Sequence, residues 1–227
     1  MTKNHIRDII QWDVKSWSVA LNYWEKVVDW PNAQNALELG GREGGLSLWL
    51  AGHGVKTICS DLSEVEKKAF PLHRKYGVDQ YITYQDIDAT NIPYENHFDI
   101  IVFKSILGGI GRGNSHEKQK KSFQQIYKAL KPGGKLLFAE NLVASPVHQH
   151  LRKRYIKWAG YWRYVTLEEM KEFFQEFSDY ELKQTGVMAA FGRSESQRNL
   201  LAGVDQLILN KFSPAHWKYI GYGIAIK

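Results

Sequence analysis

The stretch Ala36-Leu37-Glu38-Leu39-Gly40-Gly41-Arg42-Glu43-Gly44-Gly45 has the residue types and spacing of a ligand loop. An apolar run carries one acid, turns through glycines and enters an apolar helical segment. Glycines let a ligand approach the backbone, and a helix start offers unpaired amides. A dinucleotide loop needs Gly-x-Gly-x-x-Gly after its strand. Counting from Gly40, the third position is Arg42, so that fingerprint fails. What remains is Glu-x-Gly-x-x-x-Gly. A carboxylate at Glu38 suits a ligand that carries a cation and repels a pyrophosphate. The glycines alone also fit a tight turn. Asp61 follows Glu38 by 23 residues, at the end of the next apolar run. An acid there can accept from both hydroxyls of a ribose, and it can equally cap a helix.

The elements that position these residues alternate. Trp17, Ala20, Leu21, Trp24 and Val28 share one helix face, which Trp30-Pro31-Asn32 ends. Strand-length apolar runs follow at Ala36–Leu39, Thr57–Cys59, Tyr81–Tyr84, Ile100–Phe103 and Leu136–Ala139. Helical patterns at Leu46–Ala51, Val65–Tyr76 and Phe123–Leu130 separate them. Such alternation predicts an α/β, doubly wound, mostly parallel sheet with helices on both faces. Asn141 to Tyr164 is polar, basic and aromatic and reads as loop or irregular helix. Thr166-Leu167-Glu168-Glu169 is a capping box opening a helix striped by Met170, Phe173, Phe174 and Phe177. Tyr180–Val187 and Tyr219–Ile226 read as a closing strand pair around an inserted helix, Gln197–Leu209.

Length and composition narrow the class. At about 150 residues per domain, 227 residues predict one decorated domain, 1–227. Apolar residues at 44% and charged residues at 24% argue against disorder. Cys59 is the single cysteine, which rules out a disulfide scaffold or a cysteine zinc cluster and suits a reducing compartment. No apolar run reaches the roughly 20 residues of a membrane span, and the first residues are polar, so the cytoplasm is the expected location. The formal charge of +6 permits an anionic partner without requiring nucleic acid.

The ordered set is more specific than its parts. It comprises the Glu38 glycine loop, Asp61, Asp88-Ala89-Thr90-Asn91-Ile92-Pro93, Phe98-Asp99 before the fourth run, and Lys131-Pro132-Gly133-Gly134 before the fifth. From Ala36 to Glu140 it resembles the class I S-adenosylmethionine-dependent methyltransferases, and more weakly so to Lys227. The resemblance implies a Rossmann-like seven-stranded sheet, mostly parallel with an antiparallel last strand. It also implies S-adenosyl-L-methionine as cofactor. Glu38 would sit near the methionine amino group, and Gly40 and Gly44 would let the backbone lie against the cofactor. Asp61 would grip the ribose, and Leu62 would pack on adenine or ribose. Asp88, in preference to Asp86, would accept from the adenine amino group beside the Ala89 amide. Lys104 and Ser105 would line the methionine end and the acceptor entrance. Arg42 stands where the family has its middle glycine. That departure leaves open a non-catalytic scaffold of the same fold.

Methyl transfer to a hydroxyl benefits from a base. His148 and His150 follow the fifth strand on the acceptor side, and Glu140 ends that strand; these are the candidate bases. The other histidines, His73 among them, read as surface residues. Residues 1–30 would form a helical cap packed through Trp12, Trp17, Tyr23 and Trp24. Residues 141–165 would form an acceptor-side insertion. There Arg152, Lys153, Arg154, Lys157 and Arg163 interleave with Tyr155, Trp158, Tyr161, Trp162 and Tyr164. Cations and rings together suit a sugar bearing phosphate or carboxylate, or a nucleic-acid strand. After Phe103 the chain reads Lys104-Ser105-Ile106-Leu107, without the Asn/Asp-Pro-Pro-Tyr/Phe motif of many nucleic-acid methyltransferases. The expected acceptor is therefore a small molecule, a saccharide hydroxyl or a phosphorylated metabolite, with RNA as the alternative. No metal is expected, and oligomeric state is not legible.

Overall fold

The computed structural model describes residues 2–155 and 160–227. In chain order it contains α1 (Lys3–Ile10), α2 (Val14–Val27), β1 (Asn35–Leu39), α3 (Gly45–Gly52), β2 (Lys56–Asp61), α4 (Val65–Tyr76), β3 (Ile82–Asp86), β4 (Phe98–Lys104), α5 (Leu107–Ile110), α6 (His116–Ala129), β5 (Leu130–Asn141), α7 (Pro146–Tyr155), α8 (Leu167–Phe173), β6 (Asp179–Thr185), α9 (Glu195–Val204) and β7 (Ile220–Ile226).

The strands form one seven-stranded sheet in the order β3-β2-β1-β4-β5-β7-β6. Pairing is parallel from β3 through β5, and β7 is antiparallel to both its neighbours. The fold class expected from the sequence is the one present. Alternate residues of the central strands serve opposite faces, as the period of two demands. Ala36, Ile100, Val102 and Leu137 join Trp17, Trp24 and Trp49 in one buried cluster. Leu37, Leu39, Ile101, Phe103 and Phe138 join Phe123, Met170 and Phe174 in the other.

Two segments differ from the sequence reading. Lys131–Gly134 is not a turn ahead of the fifth strand but a bulge inside it. Phe98 pairs with Leu130 and Ile100 already pairs with Lys135. The extra residues are fastened to the C-terminus, Gly133 N–H donating to the Lys227 carbonyl and Lys227 N–H to that of Gly134. Within 141–165, where loop or irregular helix was expected, α7 is regular helix, and a bridge from Leu142 to Val165 closes the segment at its base.

The N-terminal helices lie over the first cluster. Trp17 and Trp24 are buried, and the Trp24 indole N–H donates to the Gly223 carbonyl of β7 at 2.9 Å. α1 ends directly against the start of α3, where a Cβ on Gly45 would stand 2.1 Å from the Ile9 carbonyl oxygen. Among the described residues no helix is long and apolar enough to cross a membrane. Gly45→Ala should push α1 off the glycine loop and lower stability by about 1–3 kcal/mol, the range for overpacking. At about 2–4 °C per kcal/mol, a thermal melt should fall by roughly 2–12 °C.

Candidate active site

Strand order reverses between β1 and β4, and open α/β sheets bind ligands at the carboxyl ends of the strands flanking such a reversal. The glycine loop, Asp61, Asp86–Asp88, Lys104 and Glu140 all fall at that end.

Several of the acids there hold helix starts. Glu38 is buried, and burial raises its carboxyl above the usual range. Its oxygens accept from Leu46 N–H at 3.1 Å, Ser47 N–H at 2.8 Å and the Ser47 hydroxyl at 2.5 Å, all in the first turn of α3. Asp86 accepts from Glu64 and Val65 N–H, both at 3.1 Å, where α4 begins. Glu140 accepts from Ile106, Leu107 and Asn141 N–H, each at 2.8 Å, and burial pushes it up to about 7. A helix start carries roughly half a positive charge and unpaired amides, so an anion placed there is strongly held.

Asp61 and Asp88 are held by loop neighbours and not by a helix start. Asp61 is half-buried and accepts one backbone N–H on each oxygen, from Arg42 at 3.0 Å and Leu62 at 2.7 Å. Leu62 beside it is 71% exposed. Asp88 uses one oxygen, which accepts from the Thr90 N–H and hydroxyl at 2.8 Å each, and Ala89 is buried next to it. Asp86 and Asp61 thus each accept one amide on each oxygen, Asp86 from a helix start and Asp61 from loop backbone, while Asp88 accepts on one oxygen alone.

The loop is shaped from behind. Gly40 and Gly44 adopt φ of 64° and 73°. A Cβ on Gly44 would stand 2.4 Å from the His73 ring, whose Nε2 donates to the Gly44 carbonyl at 2.8 Å. His73 is therefore a buried support of the loop and not the surface residue its sequence position suggested. Its distance from the loop in sequence hid that role. Arg42 is exposed at φ 51°, so the side chain in place of the middle glycine points to solvent while its amide binds Asp61.

On the acceptor side, the Lys104 ammonium lies 5.4 Å from the Trp12 ring centre and 5.0 Å from that of Trp17. Burial lowers its pKa to about 8, opposed by the carboxylates of Glu38, Glu140 and Asp13, with Arg42 a smaller lowering influence. Asp13 is fully buried, accepts from the Tyr219 hydroxyl at 2.5 Å and is pushed up to about 6 by burial. Asp13 Oδ1, Ser16 Oγ and Trp17 Nε1 are buried without a hydrogen-bond partner among the described residues. Buried polar atoms are rarely left so, and a cluster of them points to a ligand or water.

The remaining candidates separate. His148 is buried between Phe191 and Tyr219, with ring centroids at 4.5 and 5.8 Å, and Nδ1 meets the Ser145 hydroxyl at 2.8 Å. Two residues on, about 200° around the helix, His150 is exposed. The basic patch is engaged in part. Arg152 donates to the Leu142 and Val143 carbonyls and stacks 4.0 Å over Tyr164. Arg163 pairs with Glu169 and Gln119. Trp162 lies on Gly108, where a Cβ would meet its ring at 1.7 Å. These three residues fasten the insertion to the domain, while Lys153 and Arg154 are exposed. Lys157 and Trp158 lie outside the described residues. No group of three or more His, Cys, Asp or Glu side chains is placed to hold a metal among the described residues. A groove of about 750 Å³ runs beside Phe70, Tyr84 and Asp86 at the β3 edge.

Residues 37–138 match a family model described as a methyltransferase domain. The matched segment runs from β1 into β5 and so takes in the glycine loop, Asp61, Asp88 and Lys104. The ubiquinone/menaquinone biosynthesis C-methyltransferase UbiE of Escherichia fergusonii is 31% identical over 127 residues, covering 54% of this chain and 47% of that protein. The Psychromonas ingrahamii UbiE is 28% identical over the same length. The chain thus spans about half the length of the curated relatives it matches. In fold it is similar to Haemonchus contortus phosphoethanolamine N-methyltransferase 2 in complex with S-adenosyl-L-methionine, with TM-score 0.66, 21% identity, and coverage of 93% of this chain and 52% of that one. The [4+2]-cyclase SpnF is similar too, with TM-score 0.62, 18% identity, and coverage of 94% and 80%. The same scaffold thus occurs in proteins named for different reactions, and function must be argued from the site.

Burial holds His148 well below its ordinary 6.5, at about 4. Between those values the unfolded chain binds the extra proton, so this residue's contribution is complete above about 6.5 and is lost as pH falls through about 4. Asp13 and Glu140, with raised values, act in the opposite sense. The test is therefore a difference: His148→Phe should show less loss of stability than the parent between pH 6.5 and 4 in denaturant titrations.

Proposed function

We propose that this chain transfers a methyl group from S-adenosylmethionine to a small-molecule acceptor. The observation that carries the reading is the juxtaposition, at the β1–β4 reversal, of the glycine loop with the half-buried Asp61 carboxylate, exposed Leu62 and Asp88. These groups fit the cofactor. Asp61 would accept from the ribose hydroxyls, already oriented by two backbone amides. Leu62 would cover a face of the nucleoside, and Asp88 with the Ala89 amide would meet the adenine edge. The backbone from Gly40 to Gly44 would lie against the methionine portion. Glu38 would act from beneath, holding α3, since it is buried under the loop.

The cofactor supplies an activated methyl on a sulfonium, so the protein needs to position the acceptor and take its proton. Lys104 Nζ is the group we assign to that proton. In its neutral form it has a lone pair, at the tip of the strand beside the reversal. Glu140 is committed to α5 amides, and His150 faces solvent. Arg152 and Arg163 are engaged internally, which leaves the exposed Lys153 and Arg154 as the cations of the patch that could meet an anionic acceptor. An acceptor O–H or N–H, a sugar hydroxyl included, suits Lys104.

Calorimetry with S-adenosylmethionine and its demethylated product tests the reading directly; absence of heat with both would favour a non-catalytic scaffold. Asp61→Ala should weaken cofactor binding by one to several decades, since hydrogen bonds to a charged group contribute about 1.5–3 kcal/mol each. Unaltered affinity would remove Asp61 from the site. Once an acceptor is found by screening, kcat/KM should rise with pH and level off above about 8, the value to which burial brings Lys104. Lys104→Met should abolish that rise and lower turnover by about 10²-fold or more, as for a lost base.

A further inference from the structure

We propose that the outer face of the helix between β6 and β7 docks this protein on an anionic lipid surface. β6 ends at Thr185 and β7 begins at Ile220. Antiparallel neighbours need only about two to five linking residues, so this connection is a substantial insertion. Its helix, α9, continues through a π-helical stretch, Asp205–Leu209, to a last turn ending at Phe212.

The inner side is anchored. Ala202 and Asp205 are each 1% exposed. The Asp205 carboxylate accepts from the N–H groups of Val187, Met188 and Ala189. The Glu195 carboxylate accepts from Asp13 and Val14 N–H at the start of α2. The outer side is apolar and uncovered. Leu200, Leu207, Ile208 and Phe212 are 72%, 74%, 52% and 81% exposed, and Val204 is 38% exposed. Their spacing, i, i+4, i+7, i+8 and i+12, makes one stripe along the helix. A helix apolar on both sides needs a partner on each, and a soluble surface rarely leaves so large a patch bare.

Charge selects the partner. After Asp205 the chain contains no acid to its end at Lys227. Lys211 sits between Ile208 and Phe212, and Lys218 follows Trp217, which is itself 43% exposed. Two copies joined through the C-terminal part of this stripe, which carries Lys211 and no acid, would set like charges together. An anionic bilayer accepts all three features. Leucine, isoleucine and phenylalanine enter the acyl boundary, lysines meet lipid phosphates, and tryptophan lies at the interface.

The test is co-sedimentation of the full chain with vesicles of equal parts phosphatidylcholine and phosphatidylglycerol, against vesicles of phosphatidylcholine alone. We expect binding to the mixed vesicles that falls several-fold on phosphatidylcholine, and that also falls in about 1 M salt, where the screening length is about 3 Å. Leu207→Glu and Phe212→Glu, both at exposed positions, should reduce binding to the phosphatidylcholine level without changing circular dichroism or melting. Failure of the parent to bind mixed vesicles, or equal binding by parent and variants, would overturn the proposal. So would light scattering that shows a dimer which these variants convert to monomer, since the face would then be a contact between copies.

Discussion

The carboxylate of Glu38 beneath the first amides of α3 is the contact on which the geometry of the crevice depends. It joins the tip of β1 to the helix that follows, and so sets the span the glycine loop must cross. Neither partner has an alternative. The amides of a helix start have no intrahelical acceptor, and a buried carboxylate has no water. Each satisfies the other, which is why the pair tolerates full burial. The same solution recurs with Asp86 at α4, Glu140 at α5 and Glu195 at α2. The carboxyl end of the sheet is where successive helices begin, so acids are drawn there for structural reasons before any ligand is considered.

That pattern separates support from recognition. Asp61 and Asp88 are anchored by neighbouring backbone or by Thr90 and still face outward, so their carboxylates can serve a ligand. Lys104 is the reverse case, a cation drawn inward among Glu38, Glu140 and Asp13 under the rings of Trp12 and Trp17. The roof over it comes from the turn between α1 and α2. That turn is held in place by Glu195 of the late insertion and by the Tyr219 hydroxyl. Residues far apart in the chain therefore close the crevice over Lys104 together.

The alternation of apolar runs and helical stripes, the glycine loop, and the acids at strand ends were all legible from residue types and spacing. Strand existence, parallel pairing and the antiparallel close follow from local pattern plus the rule that crossovers place helices on both faces. Missed features have a common origin. The bulge at Lys131–Gly134 depends on pairing to Lys227, and the loop support from His73 depends on a contact across 29 residues of chain. His148 and His150 look equivalent in sequence, and a rotation of the helix puts one inside and one outside.

The sequence by itself determined which elements form and which side chains reach the carboxyl end of the sheet, because periodicity and turn chemistry are local. Only the tertiary structure decided what each charged group is engaged with there. Glu38, Asp86 and Glu140 found helix starts, and Arg152 and Arg163 found carbonyls, an amide side chain and a carboxylate. The physical reason is that a hydrogen-bonding group carries no mark of its partner in the chain. Its partner is chosen by which other unsatisfied group folding brings within about 3 Å and shields from water.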